Sequence, residues 1–101
     1  MKPVVWSAEA RQDYLDILHY IAGDNPFAAE KVVDAIEKAG SDLGRFATGR
    51  PGRVAGTYEK SLLRLPYIIA YALATHAGRE SVIILRVIHT ARDWPAEEWP
   101  R

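Results

Sequence analysis

The strongest constraint on the fold is a run of β-branched and aliphatic residues at positions 81–89. Successive side chains of an extended strand point to opposite faces of a sheet, so the run can be sorted into two faces. One face carries Val82, Ile84, Arg86 and Ile88, and the other carries Ile83, Leu85, Val87 and His89. Because both faces are largely apolar, the run is predicted to be a central strand of a sheet that is covered on both sides.

The length and composition indicate one small domain. The chain has 101 residues, of which 49% are hydrophobic and 26% are charged, and this suits a single domain, 1–101, with one core. It has no cysteine, so disulfides and thiolate zinc sites are excluded. The longest uncharged apolar stretch, residues 65–77, is shorter than the ~20 residues of a membrane span. Without an apolar signal segment after Met1, a cytoplasmic protein with no membrane contact is expected.

Two amphipathic helices are predicted between residues 8 and 44. Ser7 and Asn25 suit N-caps, and Pro26 suits the first position of the second helix. Apolar residues at helical spacing form one stripe on each helix. The stripes are Tyr14, Ile17, Leu18 and Ile21 on the first helix, and Val32, Ile36, Ala39 and Leu43 on the second. Gly23 is predicted to end the first helix and Gly44 to give the second a left-handed C-terminus, so that the short link makes an antiparallel hairpin.

Strand patterns flank the two helices. Residues 4–6 form a short β-type run, and the runs at 57–63, 67–73 and 81–89 predict a three-stranded antiparallel meander. Residues 47–56 contain three glycines and a proline and are predicted to be a loop. The predicted fold is therefore α+β: a short N-terminal strand, an antiparallel helical hairpin, then a three-stranded antiparallel meander. The hairpin covers one face of the sheet, which leaves apolar positions on the other face for a partner chain.

The charges are unevenly distributed although the formal net charge is zero. Residues 1–45 carry five Lys or Arg against eight Asp or Glu, whereas residues 46–101 carry eight against five. A neutral chain does not bind nucleic acid by bulk attraction to phosphate. An acidic partner is expected to meet the basic second half.

Four segments together resemble one protein family. They are Val-Val-Trp-Ser at 4–7, Gly-Arg-Pro-Gly-Arg-Val at 49–54, Pro-Tyr-Ile-Ile-Ala-Tyr at 66–71 and Ile-Leu-Arg-Val-Ile-His-Thr-Ala-Arg-Asp-Trp-Pro at 84–95. With the order of elements, they resemble the RelE/ParE superfamily of bacterial type II toxins over nearly the whole chain. The resemblance implies a toxin neutralised by a co-encoded antitoxin whose C-terminal segment wraps over the helices and the sheet.

Two activities are known under this fold, and a fold alone does not choose between them. RelE-like members cut messenger RNA on the ribosome with arginines, lysines and a tyrosine or histidine, whereas ParE-like members poison DNA gyrase and have no recognised catalytic residues. When this sequence is aligned with the RelE-like pattern, Ile68 stands where one ribonuclease arginine is expected, and Arg92 matches a second. The tyrosine of that pattern is missing, because the corresponding residues 97–99 are Glu-Glu-Trp. His89 is either a substitute acid-base group or, as we favour, a half-buried residue at the strand end.

The remaining candidate residues have structural and functional interpretations. Arg86 lies among apolar residues and needs a carboxylate, for which Asp93 and Glu59 are the candidates, so a structural ion pair is favoured. Trp94 is predicted to pack on the hairpin, and Trp99 to be exposed. The three histidines lie on separate elements and no phosphate-binding loop is present, so no metal or other cofactor is expected.

The sequence thus favours a ParE-like, non-enzymatic poison of DNA gyrase neutralised in a hetero-oligomer by a ParD-like antitoxin. Two alternatives stay open: a RelE-like ribosome-dependent mRNA interferase that uses His89 and Arg92, and a degenerate toxin that only binds its antitoxin. The predicted target contacts are Arg64, Arg92 and Trp99. The predicted antitoxin contacts are Tyr14, Ile17, Leu18, Ile21, Val32, Ile36, Arg50 and Arg53. No sequence-specific binding of nucleic acid by the toxin alone is expected.

Overall fold

Two helices pack on one face of a five-stranded mixed sheet in the computed structural model, which describes residues 1–62 and 64–90. The elements are β1 Val4–Trp6, α1 Ala8–Asp24, α2 Pro26–Arg45, β2 Arg50–Pro51, β3 Thr57–Ser61, β4 Tyr67–His76 and β5 Arg79–His89. The strand order is β1-β5-β4-β3-β2. The predicted α+β fold, with its helical hairpin and antiparallel meander, is confirmed.

The last strand is central, as its two apolar faces predict. β5 lies between β4, with which it pairs antiparallel, and β1, with which it pairs in parallel. Val4 lies opposite Val82, and Trp6 lies opposite Ile84. β1 and β2 are therefore the two edge strands, and the helical hairpin that follows β1 carries the chain from one edge of the sheet to the other.

Both helices begin at the predicted caps. The Ser7 hydroxyl accepts a hydrogen bond from the Ala10 amide at 3.0 Å and donates one to the Leu85 carbonyl at 2.9 Å. The Asn25 side chain accepts from the Ala28 amide at 3.1 Å, ahead of a proline in the first turn. Ser7 therefore both starts α1 and fastens the start of the helix to β5.

Gly44 does not end α2, contrary to the prediction, because the helix continues to Arg45. Its lack of a side chain serves close packing instead. The Lys2 amide donates to the Gly44 carbonyl at 2.8 Å, and a Cβ on Gly44 would lie 2.6 Å from the Lys2 carbonyl oxygen. The residue is small because the N-terminal segment crosses the helix at that point.

A β-bulge divides the last strand into two registers. Ala70 pairs with Arg86 but the next residue of β4, Tyr71, pairs with Ile84, so Leu85 is the extra residue. A one-residue insertion reverses which side chains face the core. Val87 therefore joins Ile84 in the main core, which corrects the strict alternation expected from the sequence.

The sheet face away from the helices is partly covered by the chain itself. Ala70 and Ile88 are buried there, and Val54 of the glycine-rich segment packs against them. The expectation that the chain has nothing to cover this face is wrong for these positions. The same segment was predicted to lack regular structure, yet Arg50 and Pro51 pair with Glu59 and Tyr58 as the short strand β2.

Within the described residues, neither helix is long and apolar enough to cross a membrane.

Candidate functional site

A groove of about 970 Å³ runs between the C-terminal half of α2 and the end of β3. Its walls are mostly apolar: Ala35, Ala39, Leu43, Leu62 and Leu65. Phe46, at the end of α2, also lines it and is 72% exposed. A large aromatic ring left in water beside an apolar groove is typical of a protein-binding surface.

The rim of this groove is basic. Lys38, Arg45 and Lys60 line it together with one carboxylate, Asp42. Lys38 and Asp42 pair at 2.8 Å, and Lys60 donates to the Thr48 hydroxyl at 2.9 Å. The remaining excess of positive charge favours an acidic segment with an apolar face.

The segment 49–56, here called the arginine loop, continues from this groove along the edge of the sheet. Its anchor is Glu59 on β3, whose side chain is only 7% exposed. The Glu59 carboxylate accepts bonds from the Arg53 amide at 2.9 Å and from Arg53 Nε at 3.2 Å, and it lies 4.0 Å from Arg50 Nη2. Burial alone would raise the pKa of Glu59, but the hydrogen bonds from Arg53 and the charges of both arginines hold it below its ordinary value.

Tyrosine and threonine side chains hold the two ends of the arginine loop. The buried Tyr71 hydroxyl accepts from the Gly49 amide at 2.8 Å, and the Thr57 hydroxyl donates to the Val54 carbonyl at 2.6 Å. Burial raises the pKa of Tyr71, so the phenol stays neutral. The loop is therefore fixed at its start, its middle and its end, and the Arg50 side chain, 67% exposed, projects from a rigid support.

Arg86 forms the ion pair expected of it, but with an unpredicted partner. Its Nε and Nη2 donate to the two carboxylate oxygens of Asp13 on α1, at 2.7 and 2.9 Å. The same carboxylate accepts from the Val87 amide at 3.0 Å. Glu59 was the wrong candidate because Arg53 and Arg50 already hold it, and Asp93 lies outside the described residues.

His89 lies at the end of β5 against the buried ring of Tyr67, and it is exposed there, which corrects the expectation of a half-buried residue. The ring centroids are 5.4 Å apart with an interplanar angle of 89°, an edge-to-face contact. The rest of the lining of the pocket of about 270 Å³ around them is Asp13, Asp16, Ile17, Tyr20 and Val87. This pocket lies on the helix side of the sheet, where Tyr67 belongs to the main core.

The predicted antitoxin contacts on the helices are largely core residues. Ile36 is fully buried and has no surface to offer a partner, so that assignment is wrong. Tyr14, Ile17 and Val32 are partly buried against the main core, while Leu18 and Ile21 are also partly buried. The Tyr14 hydroxyl donates to Glu37 on α2 at 2.6 Å, and that bond, with burial and the charges of Glu37 and Asp34, raises the pKa of Tyr14 to about 12.

The predicted target contacts are only partly described. Arg64 is exposed at the turn between β3 and β4, as predicted, and has a positive φ of 64°. Arg92, Asp93, Trp94 and Trp99 lie outside the described residues. Among residues 1–62 and 64–90, no three acidic or histidine side chains gather as metal ligands.

Known proteins with the same pattern are toxins and toxin-antitoxin complexes. The family model of the ParE toxin of the type II toxin-antitoxin system parDE matches residues 4–94. The chain belongs to the ParE toxin family. Over 95 residues it is 38% identical to Y4kP of Sinorhizobium fredii, whose name describes a candidate toxin, with 93% of this chain and 94% of that protein covered.

Two solved structures share the fold. The chromosomal ParDE system of P. aeruginosa matches with a TM-score of 0.76 and 27% identity, covering 88% of this ParE-family chain and 96% of that one. The toxin-antitoxin complex RelBE2 of Mycobacterium tuberculosis matches with a TM-score of 0.59 and 26% identity, covering 87% and 96%. Both of these structures come from systems that pair a toxin with an antitoxin.

The position at which the RelE resemblance implies an arginine is occupied by a buried aliphatic residue in this ParE-family chain. Ile68 is 8% exposed and pairs with Ile88 of β5. The charged residues nearest this position are already paired: Glu59, opposite Ala70, with Arg53, and Arg86, on the other side of Ala70, with Asp13. The side chain at position 68 itself supplies no cation for the charge of a phosphorane.

Sequence reasoning missed the groove as a site. Leu43 was recognised as part of a helical stripe, but Leu62 and Leu65 belong to a strand end and a turn, and they meet Leu43 only when α2 packs beside β3. Periodicity reports the face of one element and not the gap between two elements. The basic character of the groove had a sequence signal, since Arg45, Lys60 and Arg64 follow one another with few acidic residues between them.

Proposed function

We propose that this ParE-family toxin poisons DNA gyrase by binding, without cutting nucleic acid itself, and that a ParD-like antitoxin prevents this by occupying the basic-rimmed groove and contacting the arginine loop. The observation that supports the first part is the sheet face at Ile68. A buried aliphatic side chain fills the position at which the RelE-like pattern has a catalytic arginine. RNA cleavage needs a cation for the charge of its transition state.

Two further observations favour the gyrase hypothesis over ribonuclease activity. Arg86, in the middle of the central strand, is engaged by both oxygens of Asp13. The likeness to the ParDE structure is also stronger than that to the RelBE2 structure, at nearly equal coverage of this chain.

Purified components distinguish the activities. The toxin is incubated with gyrase, ATP and supercoiled plasmid, and the DNA is analysed after protease digestion. A gyrase poison yields linear plasmid from trapped cleavage complexes, whereas translating ribosomes supplied with the same toxin keep their messenger RNA intact. Cut messenger RNA with no linear plasmid contradicts the proposal and favours the interferase. The absence of both products also contradicts it and favours a toxin that only binds its antitoxin.

His89 gives a second test of the interferase alternative. His89→Gln keeps a hydrogen-bonding side chain and removes the titratable ring. A gyrase poison remains toxic when this variant is expressed in bacteria, because the proposal gives His89 no proton to transfer. A folded variant that has lost toxicity favours the ribonuclease.

The antitoxin part of the proposal is supported by shape and charge. The groove is long, apolar and open, with three cations and one carboxylate on its rim. An amphipathic segment with acidic residues flanking its apolar face complements both features.

Two exposed phenylalanines, one in the first turn of α2 and one directly after its last residue, provide a matched test of the groove. Phe46 lines it and is 72% exposed, whereas Phe27, 80% exposed, lies at the other end of the helix, about 28 Å away at 1.5 Å per residue. Phe46→Glu is expected to weaken antitoxin binding in a pull-down from cells that express both proteins. The same variant is expected to be toxic to cells even when the antitoxin is co-expressed. Phe27→Glu introduces the same change at an equally exposed site and leaves neutralisation intact. Equal effects of the two substitutions would contradict the placement of the antitoxin.

A further inference from the structure

The arginine loop is held by a buried carboxylate on the neighbouring strand, which is a costly arrangement. Glu59 places a carboxylate inside the sheet, opposite the fully buried Ala70 and beneath a glycine-rich segment. Burying a charge is unfavourable unless it is paired, and an apolar side chain of similar volume often stabilises such a site better. The carboxylate instead takes up two donors of Arg53, one of them the backbone amide.

The glycines show how tightly the loop is fitted around this anchor. A Cβ on Gly49 would lie 2.6 Å from the Tyr71 hydroxyl and 3.0 Å from the Glu59 carbonyl. A Cβ on Gly52 would lie close to the Thr57 hydroxyl, and the Gly52 amide donates to the Thr57 carbonyl at 2.8 Å. The backbone path is therefore fixed from both ends and from the centre.

The outer edge of β2 favours recognition through side chains. Pro51 has no amide hydrogen, so a partner strand cannot continue the hydrogen-bond ladder at that residue. Its neighbour Arg50 has a guanidinium that is 67% exposed and only weakly engaged by Glu59, at 4.0 Å. A guanidinium at a rigid edge matches a carboxylate of a partner, with which it can form two parallel hydrogen bonds.

We infer that Glu59 is a positioning residue for antitoxin recognition: by fixing the backbone at Arg53 it holds Arg50 in place to receive an acidic side chain of the antitoxin. The inference rests on the proposed function, because it takes the antitoxin as the partner of the arginine loop. A prearranged loop loses little conformational freedom on binding, so the gain in affinity comes from Glu59 without any contact between Glu59 and the antitoxin.

The test measures how fast the antitoxin leaves the purified toxin-antitoxin complex, by exchange against an excess of fluorescently labelled antitoxin. Glu59→Gln removes the charge, and Glu59→Asp keeps the charge but withdraws it from the loop. Each is expected to accelerate exchange about tenfold, which corresponds to about 1.4 kcal/mol. Co-expression with the antitoxin supports folding of both variants, and the shorter Glu59→Asp provides a second measurement if the first variant does not fold.

The decisive comparison is made without Arg50. If Glu59 acts by placing Arg50, then Arg50→Gln accelerates exchange by a similar factor and Glu59→Gln adds little in that background. A merely structural Glu59 would accelerate exchange equally with and without Arg50, and that result overturns the inference. Slower exchange in Glu59→Gln also overturns it, because it would mean that Glu59 competes with the antitoxin for Arg50.

Glu80→Gln is the matched control. Glu80 is an acidic residue of the same sheet, paired with Lys2 at 2.8 Å in an exposed ion pair away from the loop, and its loss leaves the exchange rate unchanged. If no complex forms between wild-type toxin and antitoxin, the proposed function has failed. If the complex forms and the Glu59 variants exchange at the wild-type rate, only the inference has failed.

Discussion

The ion pair between Arg86 and Asp13 fastens the first helix to the central strand, and breaking it should be costly. Arg86→Met keeps the aliphatic part of the side chain but removes both hydrogen bonds to Asp13. The Asp13 carboxylate, 13% exposed, is then left with the Val87 amide as its described donor. A hydrogen bond to a charged group contributes roughly 1.5–3 kcal/mol, and removing one partner of a buried pair costs about 3–5 kcal/mol. Since neither side chain is wholly buried, we expect the lower end, about 3 kcal/mol.

The assays are urea unfolding, which gives the free energy of unfolding, and thermal unfolding, both of the refolded toxin and both followed by circular dichroism. A loss of about 3 kcal/mol corresponds to a fall of the melting temperature by roughly 12–24 °C in a domain of this size. Lys38→Met breaks the exposed pair with Asp42 and is the control, with an expected cost below about 0.5 kcal/mol.

The double variant Arg86→Met/Asp13→Asn tests the reason for the loss. If an unpaired carboxylate is the main cost, Asp13→Asn removes it while its amide oxygen still accepts from the Val87 amide. The double variant should then be more stable than Arg86→Met alone, by about 1 kcal/mol. Additive losses from the two substitutions, or a cost below about 1 kcal/mol for Arg86→Met, would refute the reasoning.

Three further predictions concern stability and are measured by urea unfolding. Gly40→Ala should destabilise by about 1–3 kcal/mol because its Cβ would lie 2.7 Å from the Trp6 ring, whereas Gly23→Ala, with nothing within 4 Å, should stabilise α1 by about 0.5–1 kcal/mol. Ala77→Asn should stabilise the protein by about 0.5–1 kcal/mol, because Ala77 has a φ of 51° in a two-residue hairpin turn that favours Asn followed by Gly. An unchanged urea midpoint for this variant would contradict the prediction. Because the folded-state pKa of Glu59 is lowered, its contribution is present above the ordinary value of 4.5 and is lost as the pH falls below it, so wild type should lose more stability than Glu59→Gln between about pH 5 and pH 3.

The sequence by itself determined both helices, the three long strands and the central place of the last strand, because those depend on short-range signals. Ser7 and Asn25 capped the helices as predicted, since an N-cap needs only a side-chain oxygen within reach of the first amides. The two apolar faces of residues 81–89 predicted a central strand, and the structure places β5 between two neighbours. The four matched segments indicated the family, which the comparisons confirm.

Tertiary structure alone decided which side chains meet. Asp13 and Arg86 are 73 residues apart, and no local pattern indicated that a helical aspartate rather than Glu59 would receive the arginine. The bulge at Leu85 reversed the facing of the following residues, because a one-residue shift in pairing has no signature in an uninterrupted apolar run.

The candidate site shows the same division. The sequence indicated a basic second half and two arginines among glycines, since charge and turn propensity belong to individual residues. The groove exists only because α2 lies beside the end of β3, and the arginine loop is rigid only because the buried carboxylate of Glu59 lies beneath it. A binding surface is a property of the space between elements, and that space is set by packing rather than by the order of residues in any one segment.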